Sequence, residues 1–207
     1  QAAELYGDEY EAMLSRLSEA AETGVKYALV YDKRLILPAY HSISAGKTES
    51  AYAVWGEDYP YLVPVESAAD LQSPEFNGSA IFSVAAARGG FMTIYPDIEL
   101  DKDVNLWFSE PVYSESGTLL SVRCGNKTIS GVQIMKQFGL RSPAILIDLG
   151  GGGVTFFTKG YGYCVGMSIY GGNSLAKSGK TFSEILSYYY TGVEAVLLDG
   201  ESENAST

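Results

Sequence analysis

The spacing of apolar residues changes several times along the chain, and each change marks an element. In DEYEAMLSRLSEAAETG, Met13, Leu14 and Leu17 are set among alanines and charged residues, and Thr23-Gly24 supplies a stop. That stretch predicts a helix. VKYALVY, a charged turn DKR, and LILPAYHSIS predict a β-hairpin. AVWGEDYPYLVPVES, broken by Pro60 and Pro64, predicts loop with extended pieces, and GFMTIYPDIEL, LWFSEPVYS, TLLSVRCG and KTISG predict strands. VQIMKQFGL fits a short helix closed by Gly139. AILIDL and VTFFTKG, joined by the four glycines from Gly150 to Gly153, fit a second hairpin. NSLAKSGK and TFSEILSYYYTGV predict two closing helices, the second with Thr181 and Glu184 as a capping box. The expected class is α+β, a mixed, mostly antiparallel β core with helices near both ends. No internal repeat or linker interrupts it, so residues 1–198 are expected to form one domain, with 199–207 a disordered polar tail.

One stretch does not fit this simple alternation. GYGYCVGMSIYGG, Gly160 to Gly172, holds five glycines and three tyrosines in thirteen positions. Strand glycines mark a bulge or a place where a ligand or another backbone comes close. Both readings stand: a groove floor lined by tyrosines, or a tightly bent buried strand.

Composition narrows the partners. Fourteen Lys and Arg against 25 Asp and Glu leave a net charge of −11, which repels nucleic acid and anionic membrane surfaces. Sixteen tyrosines with only 19% charged residues suit carbohydrate or protein contacts, since Tyr offers an apolar face and a polar tip. No run approaches a membrane span, and Gln1 opens the chain without a signal-like segment, so it is expected to be an internal piece of a longer protein. Cys124 and Cys164 are too few for a disulfide framework or a metal cluster; they either pair in an exported protein or stay as buried thiols.

Two features imitate cofactor sites. Gly-Lys-Thr occurs at 46–48 and 179–181, but a phosphate loop needs a glycine five residues before the second one, where His41 and Ser174 stand. The single histidine, His41, lies at a strand end beside hydroxyl residues in AYHSISAGKT, with no partners at zinc-ligand spacing. No metal and no cofactor are expected.

Four segments in order, AYHSISAGKT, VWGEDYPYLVPVESAAD, GVQIMKQFGLRS and GYGYCVGMSIYGGNSLAKSGKTFSEILSYYYTG, resemble the stage II sporulation protein D family and its amidase-enhancer relatives. The likeness runs from about Tyr27 to Val193. It implies a lytic transglycosylase of peptidoglycan that acts outside the cytoplasm, membrane-anchored or secreted in the full-length protein. It also implies glycan strands stripped of stem peptides as substrate, and a cell-wall amidase as partner. Carried onto the matching positions, the implied substrate-binding residues are His41, Ser42, Ser44, Thr48, Trp55, Gly160, Tyr161, Gly162, Tyr163, Gly166, Met167 and Ser168.

The departures are equally specific. The family's catalytic Glu lies in a helical segment expected upstream of Gln1, so the catalytic residue of this chain is unknown and the fragment alone is expected to be inactive. Tyr163 replaces a His, Cys164 a Gly and Ile169 a Gln of the glycine-rich motif. Those losses favour an alternative, a non-catalytic relative that binds glycan or stimulates an amidase.

Overall fold

Asp32 and Lys33 both take left-handed backbone angles, φ 47° and 61°, as a two-residue turn between twisted strands requires. They join β1 (Tyr27–Tyr31) to β2 (Arg34–Leu35), and β11 (Glu194–Leu197) pairs antiparallel with the other side of β1. Helix α1 (Tyr10–Gly24) precedes this sheet and has no buried residue. These elements form one compact unit, residues 7–37 with 193–198, in a computed structural model that describes residues 7–198. The expected tail, 199–207, lies outside the described residues.

Residues 38–192 form the second unit. β2 stops at Leu35 and residues 36–39 belong to no strand, so LILPAYHSIS is not one hairpin arm as expected; Tyr40–His41 form β3. Helix α2 (Ala51–Trp55) starts on the Ser50 hydroxyl, which accepts from the Ala53 amide at 3.2 Å, and stops at left-handed Gly56. A five-residue helix therefore stands where loop was expected. A 3₁₀ turn, Ala68–Gln72, follows and leads to β4 (Asn77–Ser83).

Helix α3 (Val84–Ile94), capped by Ser83, overturns the strand expected for GFMTI. The cap and the four-residue spacing of buried Ala87 and Phe91 favour a helix. Gly90 has a packing reason: a Cβ there would lie 2.5 Å from the Phe138 ring. Then come β5 (Phe108–Tyr113), β6 (Leu119–Cys124) and β7 (Lys127–Ile129), as expected. Helix α4 (Gly131–Phe138) has a Ser130–Gln133 capping box and ends at left-handed Gly139, as its sequence predicts. The expected hairpin is β8 (Ile145–Asp148) and β9 (Gly153–Lys159).

Two three-stranded antiparallel sheets result, ordered β4-β9-β8 and β5-β6-β7. Phe138 centres the core, its ring 4.9 Å from Phe91 and 5.0 Å from both Phe82 and Phe156, with Trp107, Val122, Cys124 and Ile134 around them. Strand β10 (Met167–Ser168) pairs with β3 in parallel. Helix α5 (Ile169–Lys177) starts before the expected NSLAKSGK because Ser168 caps it. Helix α6 (Phe182–Tyr189) has the expected Thr181–Glu184 box. The fold is α+β, but helices also occupy the middle of the chain and strands its ends. Among the described residues no helix is long and apolar enough to cross a membrane.

Candidate functional site

The glycine-rich segment is threaded against the histidine segment. Ser168 lies in register with His41, and Tyr161 bridges Ile43, its amide donating to the Ile43 carbonyl at 2.7 Å. The Ser42 and Ile43 amides return bonds to the Tyr161 carbonyl, and the Glu49 amide donates to the Cys164 carbonyl at 2.7 Å. Gly160, Gly162 and Gly166 have φ of 79°, 109° and 76°. A Cβ at Gly160 would lie 2.6 Å from the Ile43 carbonyl oxygen, and one at Gly162 2.8 Å from the His41 Cβ. One at Gly166 would meet the Ala39 carbonyl. The close approach these glycines permit is therefore to the chain's own backbone.

Beneath the two segments lies a buried carboxylate. Asp70 has no exposed surface; Oδ2 accepts from the Ser44 amide at 2.7 Å and Oδ1 from the Ser168 hydroxyl at 2.8 Å. The same Ser168 oxygen accepts from the Gly171 amide at 3.1 Å, capping α5. Ser67, three residues before Asp70, shares a 2.8 Å hydrogen bond with the Tyr189 hydroxyl of α6. Gly171 has room for no side chain between Tyr189, Ser67 and Asp70. One residue thus gathers the hydroxyl-rich loop, the Ser-x-x-Asp turn, the glycine-rich segment and the Tyr-Tyr helix. Asp70 is not among the site residues expected from the sequence; the signal for it is a lone acid in the apolar setting of SAADL.

His41 is buried above Asp70. Its Nδ1 lies 3.1 Å from the Val165 carbonyl, so Nδ1 carries the proton and donates, leaving the lone pair on Nε2. Nε2 is a buried polar atom with no partner among the described residues. Burial holds the imidazole pKa below its ordinary value, against the opposing pull of the Val165 bond and the Asp70 charge. A second buried acid, Glu49, accepts from the Ser50 amide at 2.8 Å and from the Ser114 hydroxyl.

The remaining expected site residues divide between buried and exposed positions. Thr48 is buried, its hydroxyl accepting from the Val65 amide at 2.8 Å. Ser42 and Tyr161 are exposed, Tyr161 by 47%, while Tyr163 and Met167 are half-buried. The Arg141 guanidinium lies 5.5 Å over the Tyr161 ring and the Lys136 ammonium 6.0 Å over Tyr163, so each ring has a cation on one face. Trp55, 36% exposed at the end of α2, makes none of the hydrogen bonds that join these segments.

Cys164 is buried with φ 63°, a left-handed angle that explains why the resembled motif has Gly there. Both cysteines are free thiols, pushed up to about 12 by burial. Among the described residues no three His, Cys, Asp or Glu side chains are placed to hold a metal ion.

No protein-family profile matches the chain. Stage II sporulation protein D of Bacillus subtilis (strain 168) is 31% identical to it over 194 residues, covering 91% of this chain and 53% of the relative. That of Bacillus amyloliquefaciens is 30% identical over the same coverage. An amidase enhancer of Bacillus subtilis is 25% identical across 86% of the chain and 32% of its own length. The chain thus spans about half the length of the sporulation relatives it matches. With the four motifs in order and three of them joined around Asp70, the chain belongs to the stage II sporulation protein D family.

Proposed function

We propose that this chain is the glycan-engaging part of a sporulation cell-wall protein, acting outside the cytoplasm on peptidoglycan strands stripped of their stem peptides. The observation that carries this reading is the similarity to two stage II sporulation proteins D over 91% of the chain. The convergence of the motif segments on Asp70 supports it, because it builds them into one rigid surface with Ser42 and Tyr161 exposed.

In the transglycosylase reaction one carboxyl group protonates the glycosidic oxygen. It then takes the proton of the muramyl C6 hydroxyl, whose oxygen closes on C1 as the 1,6-anhydro ring. A retaining hydrolase would instead use two carboxylates at close spacing. Glu49 and Asp70 are buried, and both oxygens of each are engaged by amides and hydroxyls. Neither is offered to a substrate as the acid. We assign strand binding to residues 7–198 and, as the family resemblance implies, the acid to a carboxyl elsewhere in the full-length protein.

Incubating the chain with peptide-stripped glycan strands tests this division. No anhydro-ended fragments should appear above a protein-free control, since one general acid contributes about 10²–10⁴-fold in rate. Anhydro ends that vanish in Glu66→Gln would place the acid within this chain.

The amidase-enhancer similarity favours a second reading, stimulation of a cell-wall amidase. An amidase that releases stem peptides faster with the chain present, at unchanged glycan length, would support it.

A further inference from the structure

Away from the histidine segment, β8 and β9 form one wall of an open cleft of about 550 Å³, and the β5–β6 turn forms the other. Three apolar side chains line it while still well exposed: Phe157 by 49%, Leu146 by 58% and Tyr113 by 42%. Leu146 and Phe157 are cross-strand partners, so they form one continuous apolar patch.

The polar groups around this patch are unevenly committed. Glu115 lies 3.6 Å from Lys47, and the Ser116 hydroxyl donates to the Thr48 carbonyl at 2.7 Å. Asn77 and Lys159, cross-strand partners that both line the cleft, make no side-chain hydrogen bond or ion pair among the described residues. Lys159 is thus a cation of this cleft with no ion pair among the described residues, in a chain of net charge −11, while Glu115 shares Lys47 with Glu66, each at 3.6 Å.

The walls are rigid before any ligand arrives. Ser114 donates to buried Glu49, and its amide is tied to the Thr118 carbonyl at 2.9 Å, so the turn is clamped to the loop that follows His41. Phe157 sits on the central strand of its sheet. A preformed concave site with an apolar floor and a few uncommitted polar groups is the usual form of a small-ligand site, and its volume lies within the roughly 300–1,000 Å³ such sites have.

We propose that this cleft seats a carboxylate-bearing N-acetyl sugar of the glycan strand. Phe157 and Tyr113 contact the apolar ring face, Asn77 bonds the acetamido group, and Lys159 pairs with the lactyl carboxylate that a missing stem peptide leaves free. This rests on the glycan-strand reading above and moves the sugar from the Gly160–Ser168 segment to the β8–β9 sheet.

The probe is the disaccharide N-acetylglucosaminyl-N-acetylmuramic acid, titrated into the ¹⁵N-labelled chain, with chitobiose as its carboxylate-free counterpart. Shift changes should cluster at Gly78, Gly117 and Lys159. Phe157→Ser should weaken both sugars about tenfold, the upper end for a stacked ring. Lys159→Gln, a surface change that spares the fold, should weaken only the muramyl disaccharide. Changes clustering at Tyr161, or full affinity in both variants while Tyr161→Ala loses it, would overturn the assignment and leave the glycan reading standing. The same holds if the disaccharide fails to bind but the chain still sediments with peptide-stripped sacculi. Failure of both would remove the glycan reading as well.

Discussion

Burial disfavours the charged form of His41 and lowers its pKa. Below its ordinary value of 6.5 the unfolded chain therefore binds a proton that the folded chain refuses, and stability falls as pH drops. The melting temperature should decline from pH 7.5 to 5.5, and His41→Gln should flatten that slope; an equal slope in the variant would place the effect elsewhere. Asp97 and Glu184 act in a lower window. Lys127 and Lys180 hold these carboxyls below their ordinary values, Glu184 at about 2, so their contribution is lost only as pH falls below about 4.5. Asp70→Asn keeps the volume but turns an amide group toward one of two buried donors, a change expected to cost about 2–4 kcal/mol in chemical denaturation. A loss under 1 kcal/mol would contradict the role of Asp70 as the hub. Cys164→Gly relieves a left-handed backbone worth about 1–2 kcal/mol and loses a buried thiol of similar worth, so it should be near neutral. Cys164→Val, β-branched at the same φ, should melt well below both.

Elements with a complete local signal were legible in the sequence. The Gly139 stop and the Thr181–Glu184 box marked α4 and α6, and the glycine turn between two apolar runs marked β8 and β9. What failed depended on distant partners. Gly90 marks no break, because Phe138, 48 residues later, occupies the space its side chain would fill. A Gly90→Ala substitution should therefore destabilise α3, although alanine is the better helix former by about 1 kcal/mol. Increased stability would mean that Phe138 can yield. The parallel β3–β10 pair is two residues long and joins positions 127 apart, so nothing local announces it. The candidate site was legible in the same divided way. Motif order located the segments, whereas the anchoring by Asp70 and the β8–β9 cleft arise only when distant strands meet.

Across the whole molecule, the acidic surface, the motif lattice and the clamped cleft fit a protein that holds a weakly charged polymer. The strongly acidic chain should not bind nucleic acid or anionic vesicles. Its two thiols, both near 12, should resist alkylation at pH 8 until the chain unfolds. The most direct measurement of the central claim is co-sedimentation with purified sacculi whose stem peptides have been removed by an amidase. The chain is predicted to pellet with the stripped sacculi and to return to solution when soluble glycan strands are added in excess. A folded chain that stays in the supernatant with stripped and intact sacculi alike would contradict the account.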